Sequence, residues 1–175
     1  MLTKNFYNFV MAYVSRCTIA DGYRDISGDV KKAAPSSATQ YMFDYMKVLT
    51  LTTSTNTGSS STKGNGVRIG TGVTPATKDD YQLENQITSG ISIVNPSGIT
   101  AKMEDGYVEV SATYTVTNTG TTAIAVSEIG LFGDAMSGNY TLIMYDRTVL
   151  ESPIVLNPNQ PKTLTYTIRF NYPNE

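Results

Sequence analysis

The chain has 175 residues, a formal net charge of −2 and 40% hydrophobic residues, enough for one domain, or one domain with a short appended segment, whose core stands without disulfides or metals. There is no His and no Trp, and Cys17 is the single cysteine; this excludes a Ser-His-Asp triad, a Cys-His pair, an imidazole metal ligand, an intrachain disulfide and a cysteine-rich zinc site. The slightly acidic balance, with no basic run beyond Lys31-Lys32, argues against a nucleic-acid partner, and the low charged fraction of 16% leaves the polar surface to Thr, Ser and Asn, of which β-branched Thr fits a pleated sheet with one wet face.

Lys4 precedes the apolar run Phe6-Tyr7-Asn8-Phe9-Val10-Met11-Ala12-Tyr13-Val14, a faint echo of a signal peptide. The run is short, carries Asn8 and lacks a small-x-small site before Arg16. No later stretch approaches the ~20 apolar residues of a membrane span. The expectation is a protein made in the cytoplasm, unprocessed and without membrane insertion. Residues 3–17 predict a helix with Thr3 as N-cap, because Phe6, Val10, Tyr13 and Val14 recur at helical spacing and Phe9 widens the stripe. That stripe serves either a packed helix or docking on a neighbouring subunit, so Phe6, Val10 and Tyr13 are interface candidates. Cys17 reads as a small buried hydrophobe.

Turn residues at Asp21-Gly22, Ser27-Gly28-Asp29 and Pro35-Ser36-Ser37 leave room for a short strand or hairpin around Tyr23 and Ile26. Residues 40–52 read as a strand. Residues 53–66, nearly all Ser, Thr, Gly and Asn, form a flexible loop by composition. The division is therefore an N-terminal helix and arm, 1–39, and a β-domain, 40–175. From Gly66 onward strand follows strand. Residues 67–69 end at Gly70-Thr71-Gly72, residues 79–84 suit a short helical turn, and residues 91–93 alternate. Residues 107–118 have the clearest period of two, with Val108, Val110, Ala112, Tyr114 and Val116 on one face. In residues 122–132, Ile124 and Val126 are in one phase and Ile129 and Leu131 in the other, which predicts a bulge or burial on both faces. Residues 140–149 are another strand. After the turn at Pro158-Asn159-Gln160-Pro161, Leu164, Tyr166, Ile168 and Phe170 alternate with Thr163, Thr165, Thr167 and Arg169. The fold class is mainly β: an antiparallel β-sandwich or jelly-roll-like domain with an N-terminal helix.

Candidate chemistry is sparse. Asp79, Asp80 and Glu84 read as caps of a turn rather than an acid/base pair, which needs a shared cleft and two different environments. Asp21, Asp25 and Asp29 do not match EF-hand spacing. Val67-Arg68-Ile69-Gly70-Thr71-Gly72 lacks the third Gly of a dinucleotide loop and the Gly-Lys-Ser/Thr ending of a P-loop, so it reads as a tight turn. No cofactor is expected. Glu128 and Arg147 each sit inside an apolar strand, a costly place for a lone charge. They are expected to form a buried ion pair, with Asp146, a neighbouring subunit or simple edge exposure as alternatives. Most of the 12 tyrosines read as core; Tyr23, Tyr107 and Tyr140, near turns, are candidates for a contact surface.

Several ordered segments resemble small structural proteins of tailed bacteriophages, of the head-fibre, decoration or tail-fibre type. These are residues 66–77, Asp80-Tyr81-Gln82-Leu83-Glu84, Glu128-Ile129-Gly130-Leu131-Phe132, Arg147-Thr148-Val149-Leu150, Ser152-Pro153-Ile154-Val155-Leu156 and the closing strand 163–170. The likeness covers about residues 40–172 and leaves the arm outside. It implies a non-enzymatic virion protein, made in the host bacterial cytoplasm, that self-associates and docks on other particle proteins as a head-decoration, neck, tail or fibre component. The alternative is a module on a phage appendage that binds a host receptor or surface glycan.

Overall fold

The chain is seen here as a computed structural model that describes residues 1–15, 22–31, 66–94, 99–134 and 142–171. Its elements are α1 (Lys4–Ser15), β1 (Tyr23–Arg24), β2 (Val30–Lys31), β3 (Gly66–Gly70), β4 (Ile91–Val94), β5 (Ile99–Glu104), β6 (Tyr107–Asn118), β7 (Ile124–Asp134), β8 (Leu142–Leu156) and β9 (Pro161–Asn171). One antiparallel sheet has the order β3-β7-β8. In the other, β6 is central: β4 and β5 lie end to end along one side of it and β9 runs along the other. The small hairpin β1-β2 is a two-stranded sheet of its own.

The two large sheets pack face to face as a β-sandwich. Period-two alternation places Ala112, Tyr114 and Val116 of β6 and Leu164 and Tyr166 of β9 on the inner face, against Val67, Ile69, Ile129, Leu131 and Ile143 of the first sheet. The opposite face of β6 and β9 is a row of hydroxyls, with Ser111 paired to Thr167 at 3.0 Å and Thr113 to Thr165 at 3.2 Å. This is the wet face that the alternating threonines predict.

The first sheet is covered on both sides. From Val126 to Phe132 every residue of β7 is buried, and its pairing with β8 shifts register between Val126 and Glu128 and again between Leu131 and Phe132. The expected change of phase is therefore both a bulge and a double burial. On the outer face Phe132, Met144 and Leu83 form a second cluster with Ile26 against it. β8 runs on past residue 149, where the alternation predicts an end, to Leu156. Pro153 fits inside it because residues 150–153 bulge opposite Ser127, where the ladder needs no amide from that position.

Two further local expectations are corrected. Residues 79–84 contain turns and no helix: Leu83 is drawn into the outer cluster and the polar side chains cap the chain's reversals instead. Thr3 is not a side-chain cap. Its hydroxyl donates to the Met144 carbonyl at 2.6 Å, because Thr3 is fully buried beside β8 and the nearest acceptors there are strand carbonyls. Residues 1–3 run along the edge of β8: Leu2 bridges to Asp146, the Thr3 amide donates to Tyr145 O at 2.8 Å and the Arg147 amide to Met1 O at 3.1 Å. The strand β5, absent from the sequence reading, forms a hairpin with β6 through Asp105-Gly106, with Gly106 at φ 82°, a left-handed backbone that glycine adopts without steric cost.

Candidate functional site

The outer face of the first sheet holds the densest polar cluster. Glu128 on β7 and Arg147 on β8 are diagonal neighbours, since Gly130 pairs with Arg147 and Glu128 with Val149. Both are buried, Glu128 at 0% and Arg147 at 3% exposure. Arg147 Nε donates to Glu128 Oε2 at 2.9 Å. The rest of the guanidinium fork reaches the loop above: Nη1 donates to Asp80 at 2.8 Å and Nη2 to Glu84 at 3.4 Å. Asp146, the other partner considered for Arg147, bonds elsewhere.

Residues 71–85 fold over this pair because each polar group has a place to bond. The amides of Gly72 and Asn85 donate to Glu128 Oε1 at 3.1 and 2.7 Å, and the Glu84 amide to Oε2 at 3.1 Å. With Arg147 that makes four donors, which fill the four lone-pair positions of a carboxylate. A Cβ on Gly72 would stand 2.6 Å from Glu128 Oε1, and one on Gly70 would meet the same oxygen. The Gly70-Thr71-Gly72 turn thus holds an anion after all, but the anion is the chain's own Glu128. The loop is braced from outside as well. Thr74 gives its amide and hydroxyl to Glu84 at 2.9 and 2.7 Å, and Thr77 gives both to Asp80 at 2.9 and 2.8 Å.

The electrostatics follow the geometry. Burial by itself would raise the Asp80 carboxyl, but the bonds from Arg147 and Thr77 outweigh it and hold Asp80 below its ordinary range. Burial likewise opposes the Arg147 charge, and the bonds from Asp80 and Glu128 with their negative charge overcome it, holding the guanidinium above its ordinary value. The Thr74 bonds keep Glu84 low. Beside Arg147 lies an open depression of about 300 Å³ lined by Thr74, Asp79, Asp80, Tyr81, Gln82 and Glu84. It does bring the three carboxylates of residues 79–84 to one surface. Asp80 and Glu84 are engaged there as turn caps and Arg147 partners, while Asp79 pairs with its neighbour Lys78 at 3.2 Å.

Among the described residues no group of three His, Cys, Asp or Glu is placed to hold a metal ion. Asp25 Oδ1 instead accepts the amides of Ser27 and Asp29 at 2.9 and 3.0 Å and closes the β1-β2 turn; Asp21 lies outside the described residues. A second polar centre escaped the sequence reading. Asp146 pairs with the Met1 amino group at 2.8 Å and accepts a hydrogen bond from the buried Tyr166 hydroxyl. A second charge beside Arg147 in the same apolar strand was the available signal.

The interface candidates scatter. Phe6 is buried in the sandwich core, edge-on to Tyr145 at 6.1 Å and stacked on Phe170 at 6.1 Å; Val10 packs partly buried against the same core. The helix stripe is used within the chain because β8 leaves an apolar edge there, and these two residues offer no open docking face. Tyr13 lies in α1 and Tyr23 in β1, but their side chains lie outside the described residues, as does all of Tyr140. Tyr107 is half-buried, with Arg169 4.2 Å and Lys102 5.8 Å from its ring. The large exposed apolar residues are others, among them Met103 at 76% and Ile99 at 44% on β5. No protein-family model, no curated protein and no solved structure matches the chain.

Proposed function

We propose that this chain is a structural protein of a tailed-bacteriophage particle, which self-associates and docks on other virion proteins as a head-decoration, neck, tail or fibre component. The reading is supported by the place of the segments that resemble such proteins. Residues 66–72, 80–84, 128–132 and 147–150 supply the Glu128–Arg147 clamp and the turn closed over it, and residues 163–170 supply most of β9. A clamp of that kind stiffens a block against its neighbours, and a stiff block with exposed apolar residues along one edge suits repeated assembly. The test is the solution mass by light scattering after gel filtration. A discrete trimer, pentamer or hexamer is the expected result, followed by location on the particle by cryo-EM. A clean monomer at working concentrations overturns self-association.

A second reading, a host-receptor or glycan-binding module on a phage appendage, is favoured by the open depression with Tyr81, Gln82 and Asp79 on its rim, since an aromatic ring beside amide and carboxylate groups is the chemistry that grips sugars. Its test is binding of the purified protein to host cells or cell-wall polysaccharide. Binding lost in Tyr81→Ala supports this reading; no binding above a control domain rejects it.

A further inference from the structure

We propose that β5 is the edge along which two copies of the chain pair. Each β5 adds antiparallel to the other about a two-fold axis at Met103, and the two β6-centred sheets run on as one. The inference deepens the self-association reading and rests on it. It selects the assemblies built from pairs, which among the sizes named above is the hexamer.

β5 has an open edge. Its one strand partner among the described residues is β6, and all six of its residues are exposed. An antiparallel strand turns the backbone groups of alternate residues away from its partner. The far side of β5 therefore holds a row of amides and carbonyls that a further strand can take up. Other edges are occupied or ill-suited. The Ile87 amide donates to Ile69 O at 3.0 Å along β3, and residues 1–3 line β8. β9 opens with Pro161, and its charges, Lys162 and Arg169, are both cations, so it offers no anion to a copy of itself. β5 carries one cation, Lys102, and one anion, Glu104.

The side chains select the register. Ile99, Ala101 and Met103 stand opposite Ala112, Val110 and Val108 of β6. Ala112 belongs to the core, so these three lie on the inner-face side, yet Met103 is 76% exposed. The inner face here runs past the core. Lys102 and Glu104 lie on the wet face. Opposite residues of an antiparallel pair share a face, and with Met103 on the axis Lys102 of each copy faces Glu104 of the other. This extends the cross-strand row Arg169–Glu109–Lys102 by the second copy's Glu104, so charges alternate across the seam. Within the chain Lys102 Nζ lies 3.5 Å from Glu104 and 3.9 Å from Glu109. The Lys102 and Glu104 side chains are both about half exposed, and contacts this exposed are weak, which leaves both charges able to meet a second copy. On the inner face the row Phe170–Val108–Met103 meets its own copy end on and covers the methionine. With the axis at Lys102 the two lysines would stand opposite one another, a destabilising pair. With the axis at Ala101, Lys102 would face Thr100 and lose its partner.

The experiment uses the intact chain, with the native mass read by light scattering after gel filtration. Lys102→Glu gives an edge with two anions and Glu104→Lys an edge with two cations. Each alone repels its own copy, and each complements the other. Pairing predicts an even-numbered parent, a halved mass for either variant alone, and the parent mass again in an equimolar mixture. Lys102→Glu also faces Glu109 across its own ladder, so a second measurement leaves the charges alone. Met103→Cys in a Cys17→Ala background is oxidised and run on a denaturing gel beside Val73→Cys, a control site 69% exposed on another loop. Pairing predicts that most of the Met103→Cys chains migrate as disulfide-linked twos and that the control does not. An odd-numbered parent, a mass unchanged in both variants, a mixture that stays at the halved mass, or no disulfide above the control overturns the pairing and leaves self-association standing. A single-chain parent mass overturns both.

Discussion

Replacing Arg147 with Ala tests the clamp most directly. The change leaves Glu128, at 0% exposure, without its cationic partner, and withdraws the donor that ties Asp80 and Glu84 to β8. Breaking a buried pair by removing one partner costs roughly 3–5 kcal/mol. Glu128 keeps three amide donors in the variant, which places the expected loss at the lower end, about 3 kcal/mol. For a domain of this size that corresponds to a fall of roughly 6–12 °C in Tm. Since the chain has no Trp, unfolding by heat and by urea is best followed by far-UV circular dichroism. Because the pair is buried, the loss should change little with added salt. A Tm within about 1 °C of the parent would refute the buried clamp, because at that value Glu128 cannot be both desolvated and dependent on Arg147.

Gly72→Ala should destabilise by about 1–3 kcal/mol through overpacking, because the new Cβ would meet both Glu128 and Glu84 at 2.6 Å; urea midpoints equal to the parent's would show that the loop has room. Asn118 is fully buried and satisfies Thr122 O, Leu156 O and the Gly120 amide at 2.7, 2.9 and 2.9 Å, so Asn118→Ala should cost about 2–3 kcal/mol by orphaning those groups, and a neutral result in the same assay would contradict that accounting. Thr3→Val removes the hydroxyl bond to Met144 O and should cost about 1–2 kcal/mol, whereas Thr3→Ser should be milder; equal melting of the two would show that the bond carries no weight. Asp80 has a folded pKa below its ordinary 3.8, so its contribution is complete above that value and is lost as pH falls through the lower folded value. Stability measured from pH 7 downward should hold until about pH 4–5 and then decline, with a shallower decline in Asp80→Asn; identical acid limbs in the two proteins would remove Asp80 from the account.

Much of this architecture is legible in residue order alone. Alternation along residues 107–118 and 163–170 assigns Tyr114, Val116, Leu164 and Tyr166 to the inner face, since a strand's side chains can point only to two sides. The change of phase between Val126 and Ile129 marks β7 as bulged and doubly buried. Two charges inside apolar strands point to each other, because an unpaired buried charge is too costly to keep. These inferences are local: each needs only the period of a strand or the cost of one side chain. What tertiary structure alone decides is partnership between residues far apart in the chain. No spacing rule connects Glu128 to Gly72 and Asn85, or Arg147 to Asp80, because those bonds exist only once residues 71–85 lie across the sheet. The same holds for Thr3, whose hydroxyl suits a helix cap until β8 brings a closer acceptor, and for Phe6, whose stripe fits a neighbour as well as a core. The strand β5 does alternate in the sequence, Ile99, Ala101 and Met103 against Thr100, Lys102 and Glu104, and Asp105-Gly106 announces its turn, but all six of its residues are exposed, so its apolar phase marks no core face. Periodicity shows which side of an element is apolar; what covers that side depends on the path of the whole chain, and that path is set by long-range packing.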